Sequence, residues 1–258
     1  MSHLYGFILS RIVKDEYTKE DKMKIIEFKN VKKYFKKREI IKNLSFSINK
    51  NEVVGLIGTN GAGKTTTIRM ILGLSKPDSG EIIYGSKNQK PEIGVQLQTT
   101  PFFEGFTVEE NLKLFGTFQN LDMTKENIQT TLENYTLFQE KRTLASKLSL
   151  GQQKRLALCI ATLHDPELVI LDEPSAGLDP GGQRDIKKMV LKLKNKGTTI
   201  LFSSHDMLEV RNIADRIMIM DKGVLSEEGS PEELIIKYNV KNLEEVFYKS
   251  IGKENDFV

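Results

Sequence analysis

The segment Gly58-Thr59-Asn60-Gly61-Ala62-Gly63-Lys64-Thr65 constrains the fold of this chain more than any other stretch. It fits the pattern G-x-x-x-x-G-K-[ST], and each residue type answers a physical need. Glycines let the backbone wrap tightly enough for its N–H groups to converge on phosphate oxygens. A helix starting near Gly63 adds its positive end. Lys64 supplies a point charge for the β- and γ-phosphates, Thr65 offers a hydroxyl to magnesium, and Thr66 continues the cradle. Such a loop has meaning only between a strand and a helix. Both are legible, since residues 52–57 form an apolar run and residues 65–74 are apolar at helical spacing.

The rest of the chain extends this unit. Residues 24–28 and 44–48 alternate polar and apolar, as half-buried antiparallel strands do. Residues 77–80 make a turn and 81–84 a returning strand. Residues 107–163 read mainly as helices, one beginning around Asn111, Leu112, Leu114 and Phe115, another spanning 152–163 ahead of Pro166. Strands at 169–171, 198–203, 216–220 and 224–227 then alternate with an amphipathic helix at 185–193. This order predicts an α/β fold: a P-loop nucleotide-hydrolase core with a mainly parallel sheet, an antiparallel β subdomain on the N-terminal side, and a helical subdomain inserted at about 99–165. The domain as a whole is placed at 23–258, with 230–258 as its C-terminal helical tail.

Leu168-Val169-Ile170-Leu171-Asp172-Glu173 reads as the second half of a phosphate site. A buried strand delivers Asp172 to its C-terminal edge, where it holds magnesium through water. Glu173 follows directly, placed to orient or deprotonate an attacking water.

Composition removes several classes of function. A net charge of +3 is too small to mark a nucleic-acid binder, and no nucleic acid is expected as a partner. Cys159 is the one cysteine, so no disulfide framework forms within the chain. No apolar run approaches the roughly 18–20 residues that span a bilayer. Met218 and Met220, at period two, are core candidates, and His3 and His164 lack any functional context.

Further motifs narrow the nucleotide hydrolase to one family. Residues 148–155, Leu-Ser-Leu-Gly-Gln-Gln-Lys-Arg, resemble the L-S-G-G-Q signature of the ABC ATPases and stand shortly before the Asp172 strand. Residues 175–179 are similar to that family's D-loop, His205 to its switch histidine, and Gln98 to its Q-loop glutamine, with Gln96 as a nearby alternative. Tyr34 matches the adenine-stacking aromatic, with Phe35 beside it as the substitute. The resemblance covers residues 23 to about 247.

The resemblance implies ATP and Mg2+ as cofactors and a head-to-tail dimer with a second ATP-binding subunit, identical or paralogous. Ser149, the N–H of Gly151 and Gln152 would meet the partner's ATP at a helix N-terminus. His205 would contact the γ-phosphate in its own subunit, and Gln98 would sense magnesium and water and link the site to a separately encoded transmembrane permease. Glu173, His205, Gln98 and Lys64 are thus the expected catalytic set, and Thr65, Gln98 and Asp172 the metal set. The subunit would sit at the cytoplasmic face of the membrane without spanning it. Residues 242–247 are similar to the terminal helix of exporter-type subunits, which favours export of a drug, peptide or lipid-like substrate over import. Leu150 departs from the signature, where glycine is usual; a leucine does not freely take a positive φ, and it adds bulk near the shared site. A soluble ABC ATPase of translation or repair usually carries two nucleotide domains or long coiled coils, and a P-loop GTPase carries Asn-Lys-x-Asp; neither feature is present.

Residues 1–22 form a disordered or untranslated extension in this reading. Met23 stands directly before the first strand pattern, and Lys19-Glu20-Asp21-Lys22 is encodable by a purine-rich ribosome-binding string, which makes Met23 the expected working start.

Overall fold

The computed structural model describes residues 23–85, 89–97 and 101–252, so residues 1–22 and the start-site expectation lie outside it. Two antiparallel strands open the described chain, β1 (Lys24–Phe35) and β2 (Arg38–Asn49). Alternation makes them strands: Ile26, Phe28, Leu44, Phe46 and Ile48 are buried, and Phe28 stacks on Phe46 with ring centroids 4.4 Å apart. Both run past the alternating cores read from sequence. Tyr34 pairs with Glu39 and Phe35 with Arg38 in a hairpin end whose residues are mostly exposed, so no apolar period marks it.

β3 (Val53–Gly58) leaves this hairpin for a second sheet, and β4 (Ser79–Tyr84) returns to pair with β1, giving the order β2-β1-β4. The second sheet adds β5 (Ile93–Gln96), β6 (Leu168–Asp172), β7 (Thr199–Ser203), β8 (Arg216–Asp221) and β9 (Val224–Gly229). Its order is β5-β6-β7-β3-β8-β9, parallel except for β9. Its central strands bury both faces, as parallel strands do. Leu168, Ile170, Met218 and Met220 enter a core shared with the antiparallel sheet. Val169, Leu171, Ile217 and Ile219 enter a second core on the opposite face.

Helix α1 (Lys64–Ile71) follows β3. It ends earlier than the periodicity to Leu74 suggests, because Gly73 takes a left-handed φ of 73° and turns Leu74 into solvent. Between β5 and β6 lie α2 (Val108–Phe118), α3 (Lys125–Asn134) and α4 (Leu150–Ala161). They share a third core built on Val108, Leu112, Ile128, Leu132, Leu156 and Cys159. α5 (Pro180–Asn195), α6 (Met207–Ile213), α7 (Pro231–Tyr238) and α8 (Leu243–Ser250) cover the second core. Sequence patterning misses α3, which buries only Ile128 and Leu132, and α6, which has seven residues.

Candidate nucleotide site

The C-terminal edge of the parallel sheet gathers the predicted phosphate chemistry, where ligands of open α/β sheets bind. Residues 59–66 leave β3 there, Asp172 ends β6, Ser203 ends β7, and Asp172 lies in register with Ser203. The loop is fastened from outside. Thr59 Oγ1 donates to Asp221 Oδ1 at 3.1 Å, and the Gly223 N–H donates to the Ala62 carbonyl at 3.0 Å. Gly63 has φ 107°, a conformation that favours glycine, and a Cβ there would lie 2.5 Å from Ile41 Cδ1 and have to displace that side-chain end. The first-turn N–H groups of α1 have no intrahelical partner and receive no side-chain cap from Gly63.

Lys64 Nζ donates to the Gly58 carbonyl at 2.6 Å and the Thr59 carbonyl at 3.3 Å. Burial holds its ammonium below the ordinary lysine range, against the pull of the Glu173 and Asp172 carboxylates. The cleft around it measures about 290 Å³ and is lined by residues 59–66, Arg38, Ile40, Asp172 and Glu173. A second cleft of about 460 Å³, lined by Tyr34, Phe35, Leu74 and Arg69, shares Ile40, Thr65 and Thr66 with the first. One half is polar and next to a phosphate loop; the other presents aromatic rings. Together they have the two-part character of a nucleotide site. Tyr34 is fixed by its N–H to Asp78 Oδ2 at 2.6 Å and by its hydroxyl to Glu39 Oε1 at 3.1 Å. Phe35 is the more exposed of the pair.

The acidic side is organised by residues that sequence reading missed. Ser203 Oγ donates to Asp172 Oδ1 at 2.5 Å. Glu173 adopts φ 54°, a left-handed conformation that costs a non-glycine residue about 1–2 kcal/mol. Its N–H donates to Ser203 O and Oγ at 3.2 and 3.1 Å, and its carbonyl accepts from Lys154 Nζ at 3.1 Å. Its carboxylate meets His205 Nδ1 at 2.7 Å. The hydrogen bond and charge of Glu173 raise His205 above the ordinary histidine value. Behind this loop, Ser175 Oγ donates to Glu209 Oε1, and Ser204 Oγ donates to Glu209 Oε2 at 2.6 Å. Nothing in the sequence separates Ser203, Glu209 or Arg38 from ordinary polar residues. Lys154 lies within the signature segment, but its direction depends on helix phase, which the sequence does not show.

The signature residues stand apart. Ser149 caps α4, accepting from the Gln152 N–H at 3.3 Å, while Gln152 Oε1 accepts from the Ser149 N–H at 2.9 Å. Gln152 Nε2 reaches Glu140 Oε1 at 2.9 Å. Ser149, Gly151 and Gln152 line neither cleft. Leu150 opens α4 without a positive φ, so the conformational objection to leucine there does not arise. Gln98 lies outside the described residues. Gln96 is buried at 1% exposure, and its amide finds no hydrogen-bond partner among the described residues.

Fold and site define a P-loop nucleotide hydrolase. A family model described as ABC transporter matches residues 41–176. The chain is 37% identical to the bacitracin transport ATP-binding protein BcrA of Enterococcus faecalis, over 81% of this chain and 70% of that one. It is 34% identical to the linearmycin resistance ATP-binding protein LnrL of Bacillus subtilis, over 90% and 81%. The crystal structure of an ATP-binding cassette of an ABC transporter in its ADP conformation superposes with a TM-score of 0.75 at 30% identity, covering 90% of this chain and 98% of that one. The chain belongs to the ABC transporter family, as an ATP-binding and ATP-hydrolysing subunit that drives transport through a separate permease. No helix among the described residues is long and apolar enough to cross a membrane.

Proposed function

We propose that this chain supplies half of each of two ATP sites, closing head to tail on a second copy or a paralogue. The observation that carries this reading is the separation just described. The phosphate cleft holds the loop and both acids but none of Ser149, Gly151 and Gln152, so a signature helix reaches a nucleotide only from another subunit. Adenine stacks on Tyr34, with Phe35 as the alternative face. Residues 58–66 cradle the phosphates, and Lys64 leaves its carbonyl partners for phosphate oxygen.

Magnesium suits the donor set. Thr65 and Asp172, both at the phosphate cleft, offer a hydroxyl and a carboxylate oxygen, and Gln98 an amide oxygen. Such sparse oxygen sites suit an ion that keeps waters and takes substrate phosphates. Held by Thr65, Asp172 and Gln98, it would supply neutralisation of phosphate charge. Glu173 takes the proton of the attacking water, and His205 steadies the Glu173 carboxylate and meets the γ-phosphate. Hydrolysis removes the phosphate that joins the halves, and the dimer opens.

The permease docks on an aromatic face that follows Gln98 in the sequence. Phe103, Phe106 and Phe118 are 49%, 42% and 62% exposed; Phe106 packs on Phe103, and Phe115 links Phe103 to Phe118. Buried Asn111 fastens this face through the Phe103 N–H and the Phe103, Phe106 and Thr107 carbonyls. The ATPase domain comprises 23–258, with a helical subdomain at about 99–165 and a tail at 230–258. The subunit works at the cytoplasmic face, and the direction is export, in keeping with relatives named for bacitracin transport and linearmycin resistance.

Lys64→Ala tests the phosphate assignment. Titration calorimetry should show weakened ATP binding together with lost hydrolysis, because the lysine contacts phosphate in ground and transition states alike. Unchanged affinity would contradict it.

A further inference from the structure

We propose that Lys154 is a positioning residue for hydrolysis, clamping the backbone of Glu173 and tying the placement of the general base to the helix that carries the signature loop. The inference rests on the reading of Glu173 given above. Lys154 lies in the second turn of α4, is 6% exposed, and donates from Nζ to the Glu173 carbonyl at 3.1 Å. An ammonium is costly to bury unless it is paired. Packing alone would favour an apolar side chain here, as at the buried Leu156, Ala157 and Leu158 that follow. The next residue, Arg155, turns away to Asp185 at 3.1 Å.

What Lys154 holds is a residue in a disfavoured conformation. Glu173 sits at φ 54°, with its N–H held by Ser203 and its carbonyl by Lys154. Release of either side lets the peptide relax and swings the carboxylate away from His205. Burial holds the Lys154 ammonium below the usual lysine range, while the charges of Glu173 and Asp172 oppose that fall.

The clamp also has a direction. Ser149 caps the same helix five residues earlier, about 7.5 Å away along its axis. In the head-to-tail dimer that end meets the partner's ATP. A signature helix displaced by an empty partner site would carry Lys154 with it and loosen Glu173. Each general base thereby senses, through about one and a half helical turns, whether the other site is filled.

The test compares Lys154→Met, Lys154→Arg and Glu173→Gln in the full chain, following kcat, KM for ATP, ATP-dependent dimerisation and thermal melting. Lys154→Met should lower kcat about tenfold or more while KM stays within about twofold, the split expected for a group that acts on the base and not on binding. Like Glu173→Gln, it should accumulate an ATP-bound dimer. Lys154→Arg, which keeps an N–H donor of sufficient reach, should recover most of the turnover. Normal turnover in Lys154→Met would overturn the proposal. So would an activity loss that merely follows lost stability or ATP affinity, or a Lys154→Arg no better than Lys154→Met. If Glu173→Gln itself hydrolyses ATP normally, the underlying reading falls and this inference with it. An inactive Glu173→Gln beside a normal Lys154→Met places the failure on Lys154 alone.

Discussion

Two helix N-termini of this chain carry the proposed phosphate contacts, and they differ in what surrounds them. That of α1 follows Gly63, has no side-chain cap, and opens into a cleft with Lys64, Asp172 and Glu173 in place. That of α4 is closed on itself by the Ser149–Gln152 capping box and presents a half-exposed Leu150. The first leaves backbone donors for a ligand held within its own chain. The second is capped by its own side chains and lines neither of these clefts. In the proposed head-to-tail dimer, a site divided in this way would be completed only when two subunits meet, and ATP would serve as both substrate and adhesive.

The largest expected effect lies on the α1 side. Glu173→Gln should cut turnover by roughly 10²–10⁴-fold, the usual loss for a positioned base, with ATP binding retained by calorimetry. Wild-type-like turnover would remove Glu173 from the mechanism. On the α4 side, Ser149→Arg should lower hydrolysis by at least about tenfold by obstructing the partner's phosphate, while each monomer still binds ATP. Normal hydrolysis by that variant would erase the distinction between the two helix ends.

Smaller effects sharpen the contrast. Ser149→Ala removes the cap and should lower stability by about 1 kcal/mol in a denaturant titration, whereas no side chain at Gly63 does comparable work. His205 should titrate above the free-histidine value near 6.5, followed by NMR, and fall back toward it in Glu173→Gln. The sign follows from the raised native value. The pair adds stability below the unfolded value, and that contribution fades as pH rises through the native one. His205 is largely exposed, so the effect on overall stability is small.

The α1 side was legible in sequence because its donors are contiguous. One loop and one strand end carry Gly58 to Thr66, Asp172 and Glu173, and backbone geometry brings them together. The parallel sheet was legible for a similar reason, since strands buried on both faces read as apolar runs such as residues 168–171. What remained hidden depends on distant pairing. Ser203 faces Asp172 across adjacent strands, Glu209 joins Ser175 to Ser204, and Arg38 enters the phosphate cleft from the β hairpin. Lys154 was visible as a lysine, but its burial against Glu173 depends on the rotation of α4 over the sheet. The conformational objection to Leu150 assumes a glycine-like φ, and as the first residue of α4 Leu150 takes none; the bulk it adds at that helix end stays.

The central claim, a site shared between subunits, is tested most directly by the oligomeric state of Glu173→Gln with and without MgATP, measured by size-exclusion chromatography with light scattering. Glu173→Gln should be a monomer without nucleotide and a dimer with MgATP, and should return to monomer when Ser149→Arg is added to the same chain. A Glu173→Gln protein that stays monomeric at saturating MgATP, or that dimerises equally well with Ser149→Arg present, would contradict it.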